Sequence, residues 1–275
     1  MMDAPDISGL QRVAIAPSQQ RGNQLCLNDA QTHYLGRVLR LQAGDRFIAM
    51  DGQGTWWLAI WQGTAIAQIA HEILVTTELP IPLALMVAMP KGNGMDEIIR
   101  QTTELGVSEI WPIMSDRTLL QPSPNKLSRW QRIATEAAEQ SERQLIPKIH
   151  PPQPWHAALE TLQAATHDPS DHASENHASE SQERAIAAFL CTARQGLLLR
   201  DSLSQVLRQT VSPTQVVVAT GPEGGWTDAE IKQAIAHSFI PVSLGGRILR
   251  AITAPIAATA LVAHYLESKP VSHDA

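Results

Sequence analysis

The sequence predicts an α/β protein in two parts, a small β-rich N-terminal unit and a larger domain built on a mainly parallel sheet. Up to about residue 75, short runs rich in Val, Ile, Leu and Trp alternate with turn signals. From Leu83 onward, strand-like apolar runs alternate with helical patterns, which is typical of an α/β domain. Two prolines interrupt the pattern in Thr77–Pro82, which we take as the linker.

The N-terminal unit, residues 1–76, is predicted to hold five strands and one helix. Asp29–Leu39 is predicted to be helical, with Asn28 or Asp29 as a cap and a set of residues at 3-to-4 spacing, namely Ala30, His33, Tyr34, Arg37 and Val38. Asp51–Gly54 is a hairpin signal between two apolar runs. A β-barrel or a compact sheet with one helix fits this pattern. The predicted strands are Arg12–Ala16, Gln24–Leu27, Arg46–Met50, Trp56–Ile60 and Ile66–Ile69.

The C-terminal domain, residues 83–270, alternates strands and helices. Leu83–Ala88 is a continuous apolar run suited to a central strand, and Met95–Leu105 is a helix that ends at Gly106. Thr227–Glu230 is a capping box. The other predicted strands are Val107–Met114, Lys148–His150, Ala185–Cys191, Val216–Ala219 and Pro241–Leu244, and the other predicted helices are Ser128–Glu142, Leu197–Gln209, Asp228–Phe239 and Pro255–Glu267.

The composition is that of a globular chain. Of its 275 residues, 44% are hydrophobic, which excludes a wholly disordered protein. The longest weakly polar run, Ala251–Ala263, is shorter than the roughly 20 residues that a membrane span needs. The acidic N-terminus lacks the features of a secretory signal, so we expect a cytoplasmic protein that does not bind membranes. Cys26 and Cys191 lie far apart without CxxC spacing, so we expect two buried thiols and neither a disulfide nor a zinc site.

Residues 166–183 are predicted to form a disordered acidic insertion. The segment has five acidic residues, no Lys or Arg, and no aliphatic or aromatic side chain larger than Ala. Such a composition cannot offset its ordering entropy by burial. Three histidines recur in it every five residues, but a metal site needs a fixed scaffold, and we expect no metal. This segment accounts for most of the net charge of −6, so clustered Arg residues elsewhere leave RNA binding open beside the simpler reading of a solvated surface.

Two glycine-rich loops follow predicted strands. Thr220–Gly225 begins at the end of an apolar run, which is where open α/β sheets bind ligands. Its spacing is neither a dinucleotide fingerprint nor a P-loop. Within it, Glu223 would repel a phosphate, whereas it would accept hydrogen bonds from a ribose or face a cationic ligand. Leu244–Arg250 joins glycines to apolar residues and two Arg, and taken alone it also fits a simple turn.

In combination, these motifs resemble the C-terminal half of the SPOUT methyltransferases, most closely the RsmE family of small-subunit rRNA uridine methyltransferases. The resemblance covers nearly the whole chain. Its C-terminal part rests on Gly221–Gly225 (GPEGG), Ser243–Arg250 (SLGGRILR) and Thr253–Pro255 (TAP). Upstream, Lys91–Gly92, Glu104–Gly106, Ser115–Arg117 and Glu136–Ser141 are similar to the same family, and His33–Leu41 with Gly44–Asp45 resembles its PUA-like RNA-binding domain.

The resemblance implies an α/β fold in which a SPOUT-type parallel sheet with a trefoil knot is preceded by a small PUA-like β-barrel domain. It also implies a homodimer that binds S-adenosyl-L-methionine in the knot. The residues that it assigns to this cofactor lie in the two loops and in a third contact near Leu190–Ala193. They are Leu190, Thr192, Thr220, Gly221, Pro222, Glu223, Gly224, Gly225, Leu244, Gly245, Arg247, Ile248, Leu249, Arg250, Thr253 and Ala254.

The implied reaction is methylation of N3 of a specific uridine in 16S rRNA, within an assembled or assembling small ribosomal subunit. Because the imide proton must leave first, a positioned guanidinium would stabilise the resulting anion, and Arg250 is the predicted catalytic residue. A phosphate-positioning role for Arg250 is an equal alternative. No His lies in either loop, so no general base is evident. The predicted RNA-binding residues are Arg12, Arg37, Arg40, Lys91, Arg117 and Arg143, of which Arg37 and Arg40 lie three apart on the predicted helix.

Two positions depart from the family pattern. The family has Arg-x-Glu-Thr-Ala after the second loop, where this chain has Ile252 in place of Glu, and Glu142 replaces the Gly of Glu-Gln-x-Gly-Arg. Two alternative functions remain open. One is a SPOUT methyltransferase that acts on another RNA nucleotide. The other, favoured by Ile252, is a catalytically silent RNA-binding protein of ribosome assembly.

Overall fold

The computed structural model describes residues 7, 9–118, 124–165, 185–193, 195–208 and 213–268. The predicted acidic insertion, 166–183, lies outside the described residues. The chain divides into two compact units, one of Met1–Glu78 with Thr135–Ile146 and the other of Leu79–Ala134 with Pro147–Ala275. The sequence pattern did not indicate that Thr135–Ile146 belongs with the first unit.

The first unit is a small β domain. Its described residues form one sheet in the order β1-β4-β5-β6-β3-β2, with β1 and β4 parallel and the other pairs antiparallel. The recorded pairings end at β1 and β2, so closure into a barrel stays an expectation. The elements are β1 (Arg12–Ala14), β2 (Gln20–Arg21), β3 (Gln24–Cys26), α1 (Asp29–His33), a π-helical turn (Tyr34–Val38), β4 (Arg46–Met50), β5 (Trp56–Trp61) and β6 (Ile66–Ile73).

Both faces of this sheet are buried. Because successive strand residues point to opposite faces, β4 and β5 supply two separate cores. Phe47 and Trp61 belong to one of them. Met50 and Trp56 belong to the other, together with Ala138. The second core therefore accounts for the place of Thr135–Ile146 in the first unit.

The second unit is built on a parallel sheet. Its strand order is β10-β8-β7-β13-β11-β14-β12, with β9 also on β8, and every recorded pairing is parallel. The strands are β7 (Leu83–Ala88), β8 (Glu109–Met114), β9 (Lys148–Ile149), β10 (Gln153–Pro154), β11 (Ile186–Cys191), β12 (Leu197–Leu198), β13 (Gln215–Thr220) and β14 (Ile240–Ser243). The helices are α2 (Gly94–Glu104), α3 (Pro124–Gln140), α4 (Trp155–Ala165), α5 (Leu199–Val206), α6 (Asp228–Ala236) and α7 (Thr253–Glu267).

The centre of this sheet is covered by helices. All six residues of β7 are buried, as expected of a central strand in a parallel sheet. One core cluster contains Trp155 and Trp226, whose ring centroids lie 4.6 Å apart. Helix α7 contacts β7 and β13. The adjacent strands β13, β11 and β14 run in the same direction, so their C-terminal ends meet at one edge of the sheet.

Three sequence predictions about helices need correction here, and the short strands β2 and β10 were not predicted. Helix α4 was not predicted, although Trp155, Ala158, Leu159 and Leu162 recur at helical spacing and are all buried. Helix α3 begins at Pro124, before the predicted Ser128, and ends at Gln140. Leu197 and Leu198 form strand β12 because they pair with β14, so helix α5 starts only at Leu199.

The described residues also bear on membrane and metal binding. No helix among them is long and apolar enough to cross a bilayer. None of their His, Cys, Asp and Glu side chains form a group of three that could hold a metal ion. Cys191 is buried as expected, whereas Cys26 is partly exposed, so the prediction of two buried thiols is wrong for Cys26.

Candidate active site

A cavity of about 440 Å³ lies at the C-terminal ends of β11, β13 and β14. Three loops line it, one after each strand. The residues that follow these strands at the cavity are Thr192 after β11, Gly221 after β13 and Leu244 after β14. The cavity therefore occupies the edge of the sheet at which open α/β proteins bind ligands.

The first loop, Gly221–Gly225, requires glycine at two positions. A Cβ at Gly221 would lie 3.1 Å from Nε1 of Trp226, which is tighter than ordinary packing. Gly225 has a φ of +68°, in the left-handed region that disfavours other residues. Its N–H donates to the carbonyl of Pro222 at 2.9 Å and closes the turn. All five residues of this loop line the cavity.

The second loop, Leu244–Leu249, combines a tight turn with an apolar wall. Ser243 donates through Oγ to the carbonyl of Gly245, whose φ is +120°. Leu244, Ile248 and Leu249 then line the cavity. This loop leads into α7, whose start is fixed by a bond from Ala254 N–H to the carbonyl of Arg250 at 2.9 Å.

The third loop follows β11. Thr192 N–H donates to the carbonyl of Val242 at 2.8 Å, and its hydroxyl donates to the carbonyl of Gln195 at 2.8 Å. Cys191 also lines the cavity, and burial raises the pKa of its thiol to about 12. The thiol is therefore neutral at physiological pH and is not a nucleophile.

Neighbouring loops hold the first loop in place. Glu223 accepts a bond through Oε1 from Lys91 N–H at 3.0 Å, which ties it to the loop after β7. Arg117, after β8, donates to the carbonyl of Gly224. The Thr227 hydroxyl donates to Asp116 at 3.1 Å. Backbone and side chains from three strand ends thus fix one wall of the cavity.

Most of the predicted cofactor residues line this cavity. Four of them do not contribute to its described lining, namely Leu190, Thr220, Arg250 and Thr253. The predicted residues that do are Thr192, Gly221, Pro222, Glu223, Gly224, Gly225, Leu244, Gly245, Arg247, Ile248, Leu249 and Ala254. Arg250 is exposed and directly follows the lining residue Leu249.

Four lining residues lie outside the predicted cofactor contacts, namely Gln195, Trp226, Asp228 and Ile231. Cys191 and Ala193 also line the cavity; they fall within the predicted third contact near Leu190–Ala193 but were not assigned individually. Trp226 had a sequence signal, because it directly follows Gly225, the last glycine of the GPEGG loop. Trp226 is 8% exposed, and its Nε1 has no hydrogen-bond partner among the described residues. Asp228 and Ile231 were assigned only to a helix, and their position at the cavity follows from the direction in which α6 leaves the loop.

Two of the six predicted RNA contacts are used inside the first unit. Arg143 is 2% exposed and pairs with Glu78. The side chain of Arg12 is 9% exposed, pairs with Glu142 at 2.8 Å and lies over the ring of Trp56. The prediction of RNA contact disagrees with the structure at both positions. Each guanidinium is buried against a carboxylate of the same unit and does not face a phosphate in solvent.

The other four predicted contacts are exposed. Arg37 lies in the π-helical turn, and Arg40 lies beyond its end with a left-handed φ of 57°. The prediction that these two residues lie on one continuous helix is therefore wrong. Lys91 and Arg117 belong to the second unit and are exposed beside the first glycine loop.

Comparison with known proteins gives two family matches. Residues 77–263 match an RNA methyltransferase domain, and residues 27–61 match an RNA methyltransferase PUA domain. The chain is 46% identical to the ribosomal RNA small subunit methyltransferase E of Synechocystis, over 94% of this chain and 78% of that protein. It is 25% identical to the Bacillus subtilis protein of the same name, over 86% and 88% of the two chains.

A solved structure also matches both units. It is a ribosomal RNA small subunit methyltransferase E from Neisseria gonorrhoeae bound to S-adenosyl methionine. The TM-score is 0.73 at 29% sequence identity, over 91% of this chain and 95% of that one.

Proposed function

Since this chain belongs to the RNA methyltransferase family, together with the ribosomal RNA small subunit methyltransferases E, we propose that it methylates small-subunit rRNA with S-adenosyl-L-methionine as the donor. The finer proposal is that the acceptor is N3 of a specific uridine in 16S rRNA. The observation that carries the proposal is the cavity at the ends of β11, β13 and β14, which lies in the segment that matches the RNA methyltransferase domain.

The residues of the cavity fit this donor. A volume of about 440 Å³ is within the range of small-ligand sites. Leu244, Ile248 and Leu249 offer apolar contact for a flat base, and the glycine backbone admits close approach. The buried Nε1–H of Trp226 has no partner among the described residues and supplies a donor at the first loop. Glu223 and Asp228 suit the cationic groups of the donor, and Arg247 suits its carboxylate.

Catalysis then depends on position and charge. S-adenosyl-methionine supplies a methyl group that is already activated on a sulfonium, so the chain has to orient donor and acceptor and exclude water. The linked loops do this by holding the wall of the cavity through Glu223 and Arg117.

Arg250 is the proposed catalytic residue. It lies outside the lining of the cavity yet directly after Leu249, so it is available to an acceptor base that approaches the mouth. There its guanidinium would stabilise the uridine anion that forms when the imide proton leaves.

The matched variants Arg250→Ala and Arg247→Ala test this division of roles. Arg250→Ala should lower the single-turnover methylation rate and leave donor affinity unchanged, whereas Arg247→Ala should mainly weaken donor binding. A normal rate for Arg250→Ala contradicts the assignment.

The RNA partner is proposed to be bound by exposed cations of each unit. Arg37 and Arg40 in the first unit and Lys91 and Arg117 in the second are the candidates. Replacing Arg37 and Arg40 by Ala should weaken RNA binding and flatten its salt dependence by about one unit per lost phosphate contact. Unchanged salt dependence excludes these residues as phosphate contacts. We propose a cytoplasmic location because the proposed substrate is the RNA of the small ribosomal subunit.

A homodimer is also proposed, with the family's trefoil knot in the second unit. Leu197 and Leu198 on edge strand β12 are 60% and 44% exposed, and Ile248 in the second loop is 62% exposed. Large apolar side chains at one end of a sheet are typical of a protein interface. Leu197→Lys should shift the protein towards monomer in analytical ultracentrifugation, and a parent chain that is already monomeric at micromolar concentration contradicts the dimer.

Nucleoside mass spectrometry tests the proposed activity. The purified protein is incubated with small ribosomal subunits that lack the modification and with isotopically labelled S-adenosyl-methionine. Labelled N3-methyluridine is the expected product. A different labelled nucleoside indicates another target, and RNA binding without labelled product favours the silent assembly protein.

A further inference from the structure

The charged side chains at the cavity follow a simple pattern. Among the described lining residues, two are carboxylates, Glu223 and Asp228, and one is a guanidinium, Arg247. The remaining ionisable group, the thiol of Cys191, is neutral. S-adenosyl-methionine carries the complementary set, because it has one carboxylate and two cationic groups, an ammonium and a sulfonium. The demethylated product, S-adenosyl-homocysteine, keeps the carboxylate and the ammonium and lacks the sulfonium charge.

The two carboxylates differ in what they already bind. Glu223 accepts the backbone N–H of Lys91 at 3.0 Å, which holds it towards the loop after β7. Asp228 makes no hydrogen bond or ion pair with any described residue, including Lys232 one turn further along α6. Of these two carboxylates, Asp228 is therefore the one that is free to respond to a charge in the cavity.

Asp228 lies at a helix end that interacts favourably with a negative charge, and its carboxylate is free for a ligand. It is the first residue of α6, where the helix dipole stabilises a negative charge. Thr227 and Glu230 cap this end of the helix. The Thr227 hydroxyl accepts a hydrogen bond from Glu230 N–H, and the Glu230 carboxylate accepts one from Thr227 N–H. Glu230 is 2% exposed, whereas Asp228 is exposed and lines the cavity.

We propose that Asp228 is the residue by which the cavity distinguishes the methyl donor from the demethylated product. Its unpaired carboxylate attracts the sulfonium charge of the donor and loses that attraction once the methyl group has been transferred. The carboxylate thereby favours donor binding and product release. This inference rests on the proposed use of S-adenosyl-methionine and adds a specificity-determining residue to it.

The expected size of the effect follows from Coulomb's law. Two unit charges that share a partly solvated cavity at about 6 to 8 Å interact by an amount equivalent to a roughly three- to tenfold change in affinity at an effective dielectric of about 40 to 60. Asp228 is exposed, so salt screens the interaction in part. The ratio of product to donor dissociation constants should therefore fall by about three- to tenfold when the carboxylate is removed.

The test is isothermal titration calorimetry with S-adenosyl-methionine and S-adenosyl-homocysteine. Asp228→Asn should weaken donor binding, leave product binding unchanged or tighter, and abolish the salt dependence of their ratio. Asp228→Glu should restore the ratio because it restores the charge. Asp201→Asn is the matched control, since Asp201 also lies in the first turn of a helix, α5, but does not line the cavity.

Two results overturn the proposal, and they are distinguishable. If Asp228→Asn changes both dissociation constants by the same factor, or neither, Asp228 does not distinguish donor from product, while the proposed function stands. If the unmodified protein binds neither compound, the donor assignment falls and the role of Asp228 falls with it. Thermal melting of each variant is the control that tests whether a changed ratio of dissociation constants comes from partial unfolding.

Discussion

Replacing Arg143 by Met separates a structural role for this residue from the RNA contact that the sequence indicated. The Arg143 side chain is 3% exposed and pairs with Glu78, whose side chain is 20% exposed. Removal of one partner from a buried ion pair costs about 3 to 5 kcal/mol. The low end applies here, because Glu78 also accepts the N–H groups of Gln144 at 2.9 Å and Leu145 at 3.1 Å and keeps some contact with water. We therefore expect a loss of about 3 kcal/mol.

That loss is large for the first unit. A domain of roughly ninety residues is stable by about 5 to 13 kcal/mol, so the variant should unfold this unit at a much lower urea concentration. Urea denaturation combined with hydrogen exchange of peptides from β4 and β5 measures the effect in the unit where it arises. Arg37→Met is the matched control, since Arg37 is exposed and its replacement should change stability by no more than about 0.5 kcal/mol.

RNA binding provides the opposing readout. At a temperature where both variants are folded, Arg143→Met should bind RNA with the salt dependence of the parent, whereas Arg37→Met should lose about one unit of salt slope. A variant at Arg143 with parental stability and a reduced salt slope would refute the structural role.

Three further predictions rest on local contacts. Gly221→Ala should weaken donor binding in calorimetry, because its Cβ would press on Trp226, whereas Gly246→Ala in open space should not. Burial raises the pKa of Glu139, so the folded protein loses stability as pH rises and this carboxyl ionises. Glu139→Gln should therefore have a higher melting temperature than the parent at pH 8, and the difference in melting temperature should narrow at acid pH. Burial opposes ionisation of Glu109, but its bond to His150 lowers its pKa overall, so stability should fall as pH drops through that pKa and Glu109→Gln should remove this fall in thermal melts.

The sequence was sufficient to predict most of the secondary structure of the second unit and the location of its site. Strand β7 was predicted with the observed bounds, because a run of six apolar residues between turn signals has few other uses in a globular domain. The two glycine loops were found because glycine after a buried strand signals close backbone approach. Helix α4 is absent from the prediction, although Trp155 and Leu162 lie at helical spacing in the sequence.

Other features depend on contacts that no local pattern records. The place of Thr135–Ile146 in the first unit follows from Ala138, which packs against Met50 and Trp56. The burial of Arg143 follows from Glu78, 65 residues away in the chain. An Arg that is buried in an ion pair and an Arg that binds phosphate look alike in the sequence. The sequence alone therefore predicted RNA contact for both kinds of residue.

The two departures from the family pattern have different consequences. Glu142 replaces a Gly and has a φ of +59°, a conformation that costs a residue with a side chain about 1 to 2 kcal/mol. Its carboxylate binds Arg12 at 2.8 Å, so the side chain at this position contributes an ion pair within the first unit. Ile252 packs beside Gly94 and Pro90. A Cβ at Gly94 would lie 2.8 Å from Cδ1 of Ile252 and 3.0 Å from Pro90, so Ile252 makes an apolar contact just before α7.

A carboxylate at position 252 would therefore enter an apolar contact between the loop after β7 and the turn before α7. With Ile252 in that place, the backbone of Arg250 is fixed by the bond from Ala254 N–H, and no carboxylate at position 252 is needed to hold the turn. The guanidinium of Arg250 then remains available for a substrate, since it is exposed and has no ion pair among the described residues. Loss of the family's carboxylate thus removes a possible partner of Arg250 without removing the geometry on which the proposed charge stabilisation depends.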